Sequence, residues 1–217
     1  MFTGIIQEVG SIYAVSAQGS STQLTIQGGK TSRELEVGDS VSINGVCQTV
    51  VTNDGEHYTV VAVEETLLKT TLGGMKPSSR VNIELAMQLG DRLGGHLVSG
   101  HVDCVGQIRS VEQKGTSCLF KVAIPEQFQR YVIPVGSIAI DGVSLTIARS
   151  EGAMVTVSII PHTFENTIFS TYKEGTTVNL EFDMIGKYVE RLVTRKDLRV
   201  EGDSVSIEEL RSWGYEL

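Results

Sequence analysis

The segment TVVAVEETLLKT, residues 59–70, decides the fold because it recurs in altered form as TVSIIPHTFENT, residues 156–167. A shift of 97 positions sets these two segments in register, and the same shift sets RVNIELAM, from Arg80, against TVNLEFDM, from Thr177. Self-similarity at a fixed period is the signature of a duplicated structural unit. The sequence therefore predicts two copies of one domain.

The repeat extends outward from this segment. SINGVCQTV, from Ser42, pairs with AIDGVSLTI, from Ala139, and FTGIIQEVGSI pairs with VSGHVDCVGQI after a slip of one residue. We therefore place the first copy at residues 1–96 and the second at residues 97–184. The link between them is MQLGDRLGGHL, residues 87–97, in which the Gly-Gly pair predicts a turn.

Each copy consists of short β-rich runs separated by Gly, Asn and Asp, which predicts about six strands per copy. Asn44-Gly45 and Asp141-Gly142 lie between alternating segments, as in type I′ hairpins. Short helical stretches are expected at residues 64–70 and 162–168. An antiparallel barrel suits units of this length because closure removes the edges of the sheet. The predicted fold class is all-β, with two tandem barrels.

A helix is predicted after the second copy, at residues 185–195. Ile185, Tyr188, Val189 and Leu192 recur at helical spacing and form one apolar stripe. The stripe could pack on its own barrel or meet equivalent helices in an oligomer. In the remaining tail, residues 196–217, Ser206 and Glu209 have the spacing of a capping box, which predicts a short terminal helix without a functional interpretation.

Composition excludes several classes of protein. The formal net charge of -8, with both signs of charge interspersed, argues against a nucleic-acid-binding surface. No apolar run approaches the roughly 20 residues that cross a bilayer, and MFTGIIQEVG lacks the features of a signal peptide. The three cysteines show no CxxC spacing and predict neither a disulfide framework nor a zinc site. We expect a cytoplasmic protein without nucleic-acid or membrane partners.

Differences between the copies indicate where chemistry could reside, since packing alone needs no such differences. The second copy carries ionisable or hydroxyl groups where the first does not: these are His101 opposite Ile5, Asp183 opposite Ala86, His162 opposite Glu65, and Ser144 opposite Cys47. Strand alternation places Ser144 and Thr146 on one face and their apolar neighbours on the other. Two hydroxyl groups are therefore expected to line one surface.

Structural roles remain open for each of these residues. His101 could be a hydrogen-bonded structural residue, although imidazole suits acid-base work near neutral pH. Ser144 and Thr146 could satisfy backbone groups at a strand end, and Cys47 could be a small core residue. Asp183 could cap the following helix. Without further information, the sequence predicts a duplicated barrel that binds a ligand.

The motifs taken together resemble the riboflavin synthase family. They are MFTGII, NGVCQTV and DGVSLTI, the ETL and HTF segments, GGHLVSGHVD and IGKYVERL, and they run in the family's order from Met1 to about Val193. The resemblance implies two six-stranded Greek-key barrels and a C-terminal helix, assembled as a homotrimer whose sites lie between neighbouring subunits. It also implies conversion of two molecules of 6,7-dimethyl-8-ribityllumazine to riboflavin and 5-amino-6-(ribitylamino)uracil, without a metal or organic cofactor.

The resemblance also implies site residues in this sequence. The catalytic or positioning side chains would be His101, Ser144, Thr146, Asp183 and Cys47, with His101 as the preferred base. The substrate-contacting positions in the first copy would be Phe2, Gly4, Ile5, Ile6, Ser40, Cys47, Gln48, Thr49, Val61, Ala62, Val63, Glu64, Glu65 and Thr66. Those in the second copy would be Gly100, His101, Val102, Ser144, Leu145, Thr146, Ser158, Ile159, Ile160, Pro161, His162 and Thr163.

Two other classes remain as alternatives to this enzyme. Non-catalytic relatives bind lumazine or flavin, but they tend to lose the second-copy histidine and the serine-threonine pair that this chain keeps. A flavin reductase with a barrel for its flavin would need a nicotinamide domain with a Gly-rich loop, and the sequence has none.

Overall fold

Two six-stranded barrels follow each other along the chain in the computed structural model, which describes residues 1–194 and 212–213. The first barrel consists of β1 (Glu8–Gln18), β2 (Ser21–Gln27), β3 (Ser40–Ile43), β4 (Val46–Asn53), β5 (His57–Ala62) and β6 (Arg80–Leu85). The second consists of β7 (Cys104–Lys114), β8 (Ser117–Ala123), β9 (Ser137–Ile140), β10 (Val143–Glu151), β11 (Met154–Ile159) and β12 (Thr177–Phe182).

Both barrels have the same topology. The first closes in the order β1-β2-β5-β4-β3-β6 and the second in the equivalent order β7-β8-β11-β10-β9-β12, with antiparallel pairing throughout. Bulges recur at matched places, for example after Ile12 in β1 and after Ile108 in β7. Bulges sharpen the bend that lets a short strand turn a barrel corner. The predicted duplication of a six-stranded barrel is confirmed.

Alternation of side chains fills each barrel. In β8, Cys118, Phe120 and Val122 point inward and are buried, while Lys121 between them is exposed. The Phe120 ring meets Phe169 edge-on, with the ring centroids 5.1 Å apart. Each barrel therefore has an apolar core of its own, as the strand pattern requires.

In the part of the chain that the structure describes, the strands are accompanied by the helices α1 (Lys30–Glu34), α2 (Glu64–Lys69), α3 (Pro161–Glu165) and α4 (Met184–Thr194). Three 3₁₀ turns lie at Thr71–Gly74, Glu126–Tyr131 and Ile168–Thr171. Within residues 1–194 and 212–213, no helix combines the length and apolar character that a bilayer crossing requires.

The helices predicted at 64–70 and 185–195 match α2 and α4 to within one residue, although residue 195 itself lies outside the described residues. The second short helix starts one residue before the expected 162–168 segment and ends at Glu165, and a separate 3₁₀ turn begins at Ile168. The reason is local: the Thr167 hydroxyl accepts a hydrogen bond from the N–H of Phe169, which caps a new turn. The helix predicted around Ser206 lies outside the described residues.

The two predicted hairpins meet where the barrels touch. Asn44 and Gly45 have φ of 49° and 77°, and Asp141 and Gly142 have φ of 43° and 81°, as a type I′ turn requires. A Cβ atom on Gly45 would lie 2.6 Å from the backbone nitrogen of Gly142, so the close approach of the tips requires glycine.

Asparagine side chains tie the barrels together around these tips. Asn82 Nδ2 donates to the carbonyl of Asp141 at 2.9 Å, and Asn179 Nδ2 donates to the carbonyl of Asn44 at 2.8 Å. All four residues are buried, so the bonds satisfy polar groups that water does not reach. The equivalence of Asn82 and Asn179 in the sequence repeat therefore reflects an approximately two-fold arrangement of hydrogen bonds between the barrels.

Candidate functional site

The segments that precede the first strand of each copy, residues 2–6 and 98–102, cross to the other barrel. We call them the crossing segments, and we call β4 and β10, which follow the two hairpin turns, the hairpin strands. Phe2 and Val98 form an isolated antiparallel bridge, with N–H to O distances of 2.8 and 3.1 Å. Beyond this bridge, the carbonyl of Gly4 accepts a hydrogen bond from the N–H of Ser144 at 2.8 Å. The carbonyl of Gly100 accepts one from the N–H of Cys47 at 2.9 Å. Each crossing segment thus lies against the hairpin strand of the opposite copy.

Glycine is required at both crossing points. Gly4 and Gly100 have φ of 76° and 82°, a conformation that side chains disfavour. A Cβ on Gly4 would lie 2.5 Å from Cβ of Ser144, and one on Gly100 would lie 2.6 Å from Cβ of Cys47. Two carbon atoms that are not bonded to each other cannot approach so closely, so only glycine allows the contact.

Each crossing segment belongs to one copy of the sequence repeat but contacts the hairpin strand of the other copy. The repeat assigns Gly4 to Ile6 and Cys47 to Thr49 to the first copy, and Gly100 to Val102 and Ser144 to Thr146 to the second. The structure instead brings each of the two glycine segments to the other copy's hairpin strand. The repeat could not reveal this, because alignment establishes which positions are equivalent and not which barrel they face.

A cavity of about 250 Å³ lies beside β4 of the first barrel. It gathers residues from β4, from α2 and from the crossing segment of the second copy. The lining residues are Val46, Cys47, Val63, Glu65, Thr66, Lys69, Thr70, Gly100, His101 and Val102. Seven of these belong to the predicted site, so the structure brings a thiol, an imidazole and a carboxylate from three distant parts of the sequence to one cavity.

His101 lies at a junction of two cavities. It is exposed, and it lines both the cavity beside β4 and a larger one of about 590 Å³ beside α4. Its backbone N–H donates to the hydroxyl of Ser99 at 3.2 Å. The imidazole therefore has room to meet a ligand in the first barrel's cavity, while its backbone is fixed.

A histidine that is absent from the predicted site residues lies against the second barrel. His96 Nδ1 lies 2.6 Å from Oγ of Ser144. Gly95 makes room for this approach, because a Cβ there would lie 2.2 Å from the carbonyl oxygen of Thr3 and 2.8 Å from Oγ of Ser144. His96 belongs to the predicted link between the copies, and its place two residues before VSGHVD was the available signal.

Burial and charge act on His96 in opposite directions. The residue is 8% exposed, and burial lowers the pKa of its imidazole, while the carboxylate of Asp183 opposes that decrease. Its Nε2 atom is buried and has no hydrogen-bond partner among the described residues. A neutral imidazole next to a hydroxyl is an arrangement that transfers or polarises a proton.

The carboxylate of Asp183 acts on both α4 and His96, and its role in an active site stays a prediction. Its Oδ1 accepts a hydrogen bond from the N–H of Ile185 at 2.9 Å, so it caps α4. Its charge also acts on His96, beside Ser144. Asp183 thus links the start of α4 to the serine and histidine of the second barrel.

The predicted site residues differ in how far their side chains are exposed to solvent. Thr49, Thr146, Ser158, Ile160, Pro161 and His162 are exposed, as are Ile5, Val63, Glu64 and Glu65. Ile6, Ser40, Cys47, Val61, Thr66, Val102, Ser144, Leu145 and Thr163 are half-buried.

Four predicted contact residues have no accessible side chain. Phe2 and Ala62 are 0% exposed, Ile159 is 1% exposed, and Gln48 is 7% exposed. Phe2 packs with Val98 and Ala139 at the junction of the barrels. The side chains of these four residues are therefore packed inside the protein, and a contact of these positions with a ligand stays a prediction.

A comparison with protein families matches the lumazine-binding domain twice, at residues 3–86 and 99–183. The riboflavin synthase of Actinobacillus pleuropneumoniae is 39% identical over 99% of this chain and 100% of its own length. That of Bacillus subtilis strain 168 is 41% identical over 89% of this chain and 90% of its own length.

Solved structures share the fold. The protein LumP in complex with riboflavin has a TM-score of 0.78 at 23% identity, over 84% of this chain and 99% of its own. LumP in complex with 6,7-dimethyl-8-(1'-D-ribityl)lumazine has a TM-score of 0.76 at 22% identity, with the same coverage. The likeness to LumP supports the duplicated barrel. The two matched domains and the identity of about 40% to riboflavin synthases over most of the chain establish the family. The chain belongs to the riboflavin synthase family, whose members carry a duplicated lumazine-binding domain.

Proposed function

We propose that this protein is a riboflavin synthase, a transferase that converts two molecules of 6,7-dimethyl-8-ribityllumazine to riboflavin and 5-amino-6-(ribitylamino)uracil. The observation that carries the proposal is the pair of equivalent contacts in which each copy's crossing segment lies against the other copy's hairpin strand. One site offers Cys47 with His101, and the other offers Ser144 with His96. Two similar binding sites suit a reaction whose two substrates are identical.

Positioning supplies much of the catalysis in this proposal. Holding two reactants in attack geometry is worth on the order of 7–11 kcal/mol of a barrier. Four carbon atoms move from one ring system to the other, so the two rings must be stacked face to face. The protein then needs few reactive groups besides the two pockets.

Proton transfer assigns the remaining roles. The reaction begins by removal of a proton from the acidic methyl group on the lumazine ring, and His101 is the preferred base because its imidazole is exposed to the cavity. Ser144, polarised by His96, and Thr146 would orient the second ring or activate water. Cys47 and Asp183 would position substrate from the edges of the two sites.

A homotrimer completes the proposal. The first barrel of one subunit would face the second barrel of its neighbour across the stacked substrates, and α4 would hold the subunits together. Ile185, Tyr188 and Leu192 are 59%, 66% and 61% exposed in the single chain, which leaves an apolar stripe for such a contact. The free cysteines suit a cytoplasmic location.

Turnover tests the proposal directly. The purified protein is incubated with 6,7-dimethyl-8-ribityllumazine without added metal or organic cofactor, and riboflavin and 5-amino-6-(ribitylamino)uracil are measured over time. Formation of equal amounts of both products, abolished by the Ser144→Ala and His101→Ala double substitution, supports the enzyme. Tight binding of the lumazine without any riboflavin would identify a non-catalytic binding protein instead.

A further inference from the structure

Two buried glutamates occupy equivalent places in the barrels. Glu84 in β6 is 2% exposed and Glu181 in β12 is 3% exposed. Burial raises the pKa of both carboxyl groups, while hydrogen bonds to their oxygens oppose the increase. Neither residue belongs to the site derived above, and a buried carboxyl group requires partners to be tolerated.

Both glutamates bind the crossing segment of their own copy in the same way. Glu181 Oε1 accepts from the N–H and the hydroxyl of Ser99 at 2.7 and 2.6 Å, and its Oε2 accepts from the N–H of Gly100 at 3.0 Å. Glu84 Oε1 accepts from the N–H and hydroxyl of Thr3 at 2.6 and 2.7 Å, and its Oε2 from the N–H of Gly4 at 3.0 Å. Each carboxyl group thus holds two consecutive backbone N–H groups.

These bonds reach across to the opposite barrel. The peptide fixed by Glu181 presents the carbonyl of Gly100 to the N–H of Cys47, and the hydroxyl of Ser99 accepts from the N–H of His101. Glu181 belongs to the second barrel, but the residues it places line the cavity of the first. In the same way Glu84 fixes the peptide that meets Ser144.

We propose that Glu84 and Glu181 are positioning residues that each hold the crossing segment of their own copy against the opposite barrel. Glu181 holds His101 and Gly100 at the first barrel's cavity, and Glu84 holds Gly4 and Ile5 beside Ser144. The placement of the segments stands on the contacts alone, whereas its catalytic consequence rests on the proposed function. The carboxylate geometry is specific, because two acceptor oxygens meet three donors on one short segment.

Glutamine is the informative substitution. It keeps the shape of the side chain but replaces one acceptor oxygen with an amide NH₂ group, which donates hydrogen bonds and cannot accept one from the facing N–H. A buried N–H that has lost its acceptor cannot bond to water while it stays buried, which is energetically costly. This cost favours release of the segment from its place. In Glu181→Gln the Gly100 peptide should move away from Cys47. In Glu84→Gln the Gly4 peptide should move away from Ser144.

Thiol labelling tests the crossed pattern without any substrate. Cys47 alkylation by iodoacetamide is followed by mass spectrometry of its peptide, with the buried Cys118 as the internal reference for global unfolding. Glu181→Gln is expected to raise the Cys47 rate severalfold, and Glu84→Gln to leave it unchanged. In a Ser144→Cys background, which places a thiol at the equivalent position, the expectation is reversed: Glu84→Gln raises the rate at residue 144 and Glu181→Gln does not.

The same pattern can be measured with milder variants. Ser99→Ala removes the hydroxyl that joins Glu181 to the N–H of His101, and Thr3→Val removes its counterpart at Glu84. These variants are used for the labelling if either glutamine variant fails to fold. Equal rates at residue 47 in the two matched variants, or acceleration in the same barrel as the substituted glutamate, would overturn the proposal.

Turnover then separates this proposal from the proposed function. Under that function, Glu181→Gln lowers kcat and alters the pH profile set by His101, whereas a merely structural defect lowers the amount of active enzyme and leaves the profile of the remainder unchanged. If the wild-type protein forms no riboflavin, the proposed function fails, and the labelling pattern still decides whether the glutamates position the crossing segments.

Discussion

Oγ of Ser144 lies 2.6 Å from Nδ1 of His96, although the two residues are 48 positions apart in the sequence. Ser144 is the second residue of β10, and His96 lies two residues before Val98, which pairs with Phe2. The imidazole is buried and its other nitrogen has no partner in the described chain. The pair can therefore act as one unit, in which the imidazole accepts or returns the proton of the hydroxyl.

A double-mutant cycle should show this coupling. If the pair acts as a unit, Ser144→Ala and His96→Gln each lower kcat by roughly 10²-fold, and the double variant is little worse than the more affected single variant. Riboflavin formation at saturating lumazine provides the measurement. Multiplying losses in the double variant would indicate that the two residues act separately.

His101→Ala should lower kcat by roughly 10²-fold if the exposed imidazole is the general base. The limb of the pH profile that reports this base should also disappear from the variant, since no other group takes its place. His57→Asn is the matched control, because His57 lies in β5 beside Tyr13 and outside the cavity of β4. A nearly normal rate with an unchanged profile in His101→Ala would assign this residue a structural role.

The sequence predicted the barrels well because the relevant signals are local or repeated. Positive φ at Asn44 and Asp141 follows from the short dipeptides themselves, and the strand pattern follows from alternation. The exchange of Gly4 and Gly100 between barrels could not be predicted, since it depends on how two finished barrels pack. His96 was missed for the same reason: its contact with Ser144 exists only after the crossing.

Asp141→Asn should remove a pH dependence of stability. Burial raises the pKa of the Asp141 carboxyl to about 7, while hydrogen bonds from the Tyr172 hydroxyl and the Asn179 N–H act in the opposite direction. The folded protein therefore holds this proton more tightly than the unfolded chain, whose carboxyl titrates at its ordinary value of 3.8. The contribution is favourable at low pH and is lost as the pH rises from about 4 to about 7.

The size of the effect follows from the shift. About three pKa units correspond to about 4 kcal/mol of unfolding free energy at most, once the carboxyl is ionised above about pH 7. Asparagine is the natural test because Asn44 occupies the equivalent place and its Oδ1 accepts from the N–H of Asn82 at 2.7 Å. Urea unfolding between about pH 5 and pH 8 should show a flatter dependence for Asp141→Asn and a higher stability at the upper end. Parallel curves for both proteins would show that Asp141 does not titrate in this range.

Leu192→Asp should dissociate the proposed trimer. Leu192 is 61% exposed on the apolar stripe of α4, one turn after Tyr188, so a carboxylate there would have to be buried without a partner when subunits associate. Sedimentation of the wild-type protein should give a mass near three times the 23.5 kDa of one chain, and that of Leu192→Asp a mass near one chain. Val37→Asp is the matched control, because Val37 is 65% exposed in the loop between α1 and β3, away from the stripe. Turnover should fall together with the mass in Leu192→Asp and remain normal in Val37→Asp, since the stacked pair needs barrels from two subunits. A dissociated Leu192→Asp protein with full activity would place both substrates within one chain and contradict the shared site.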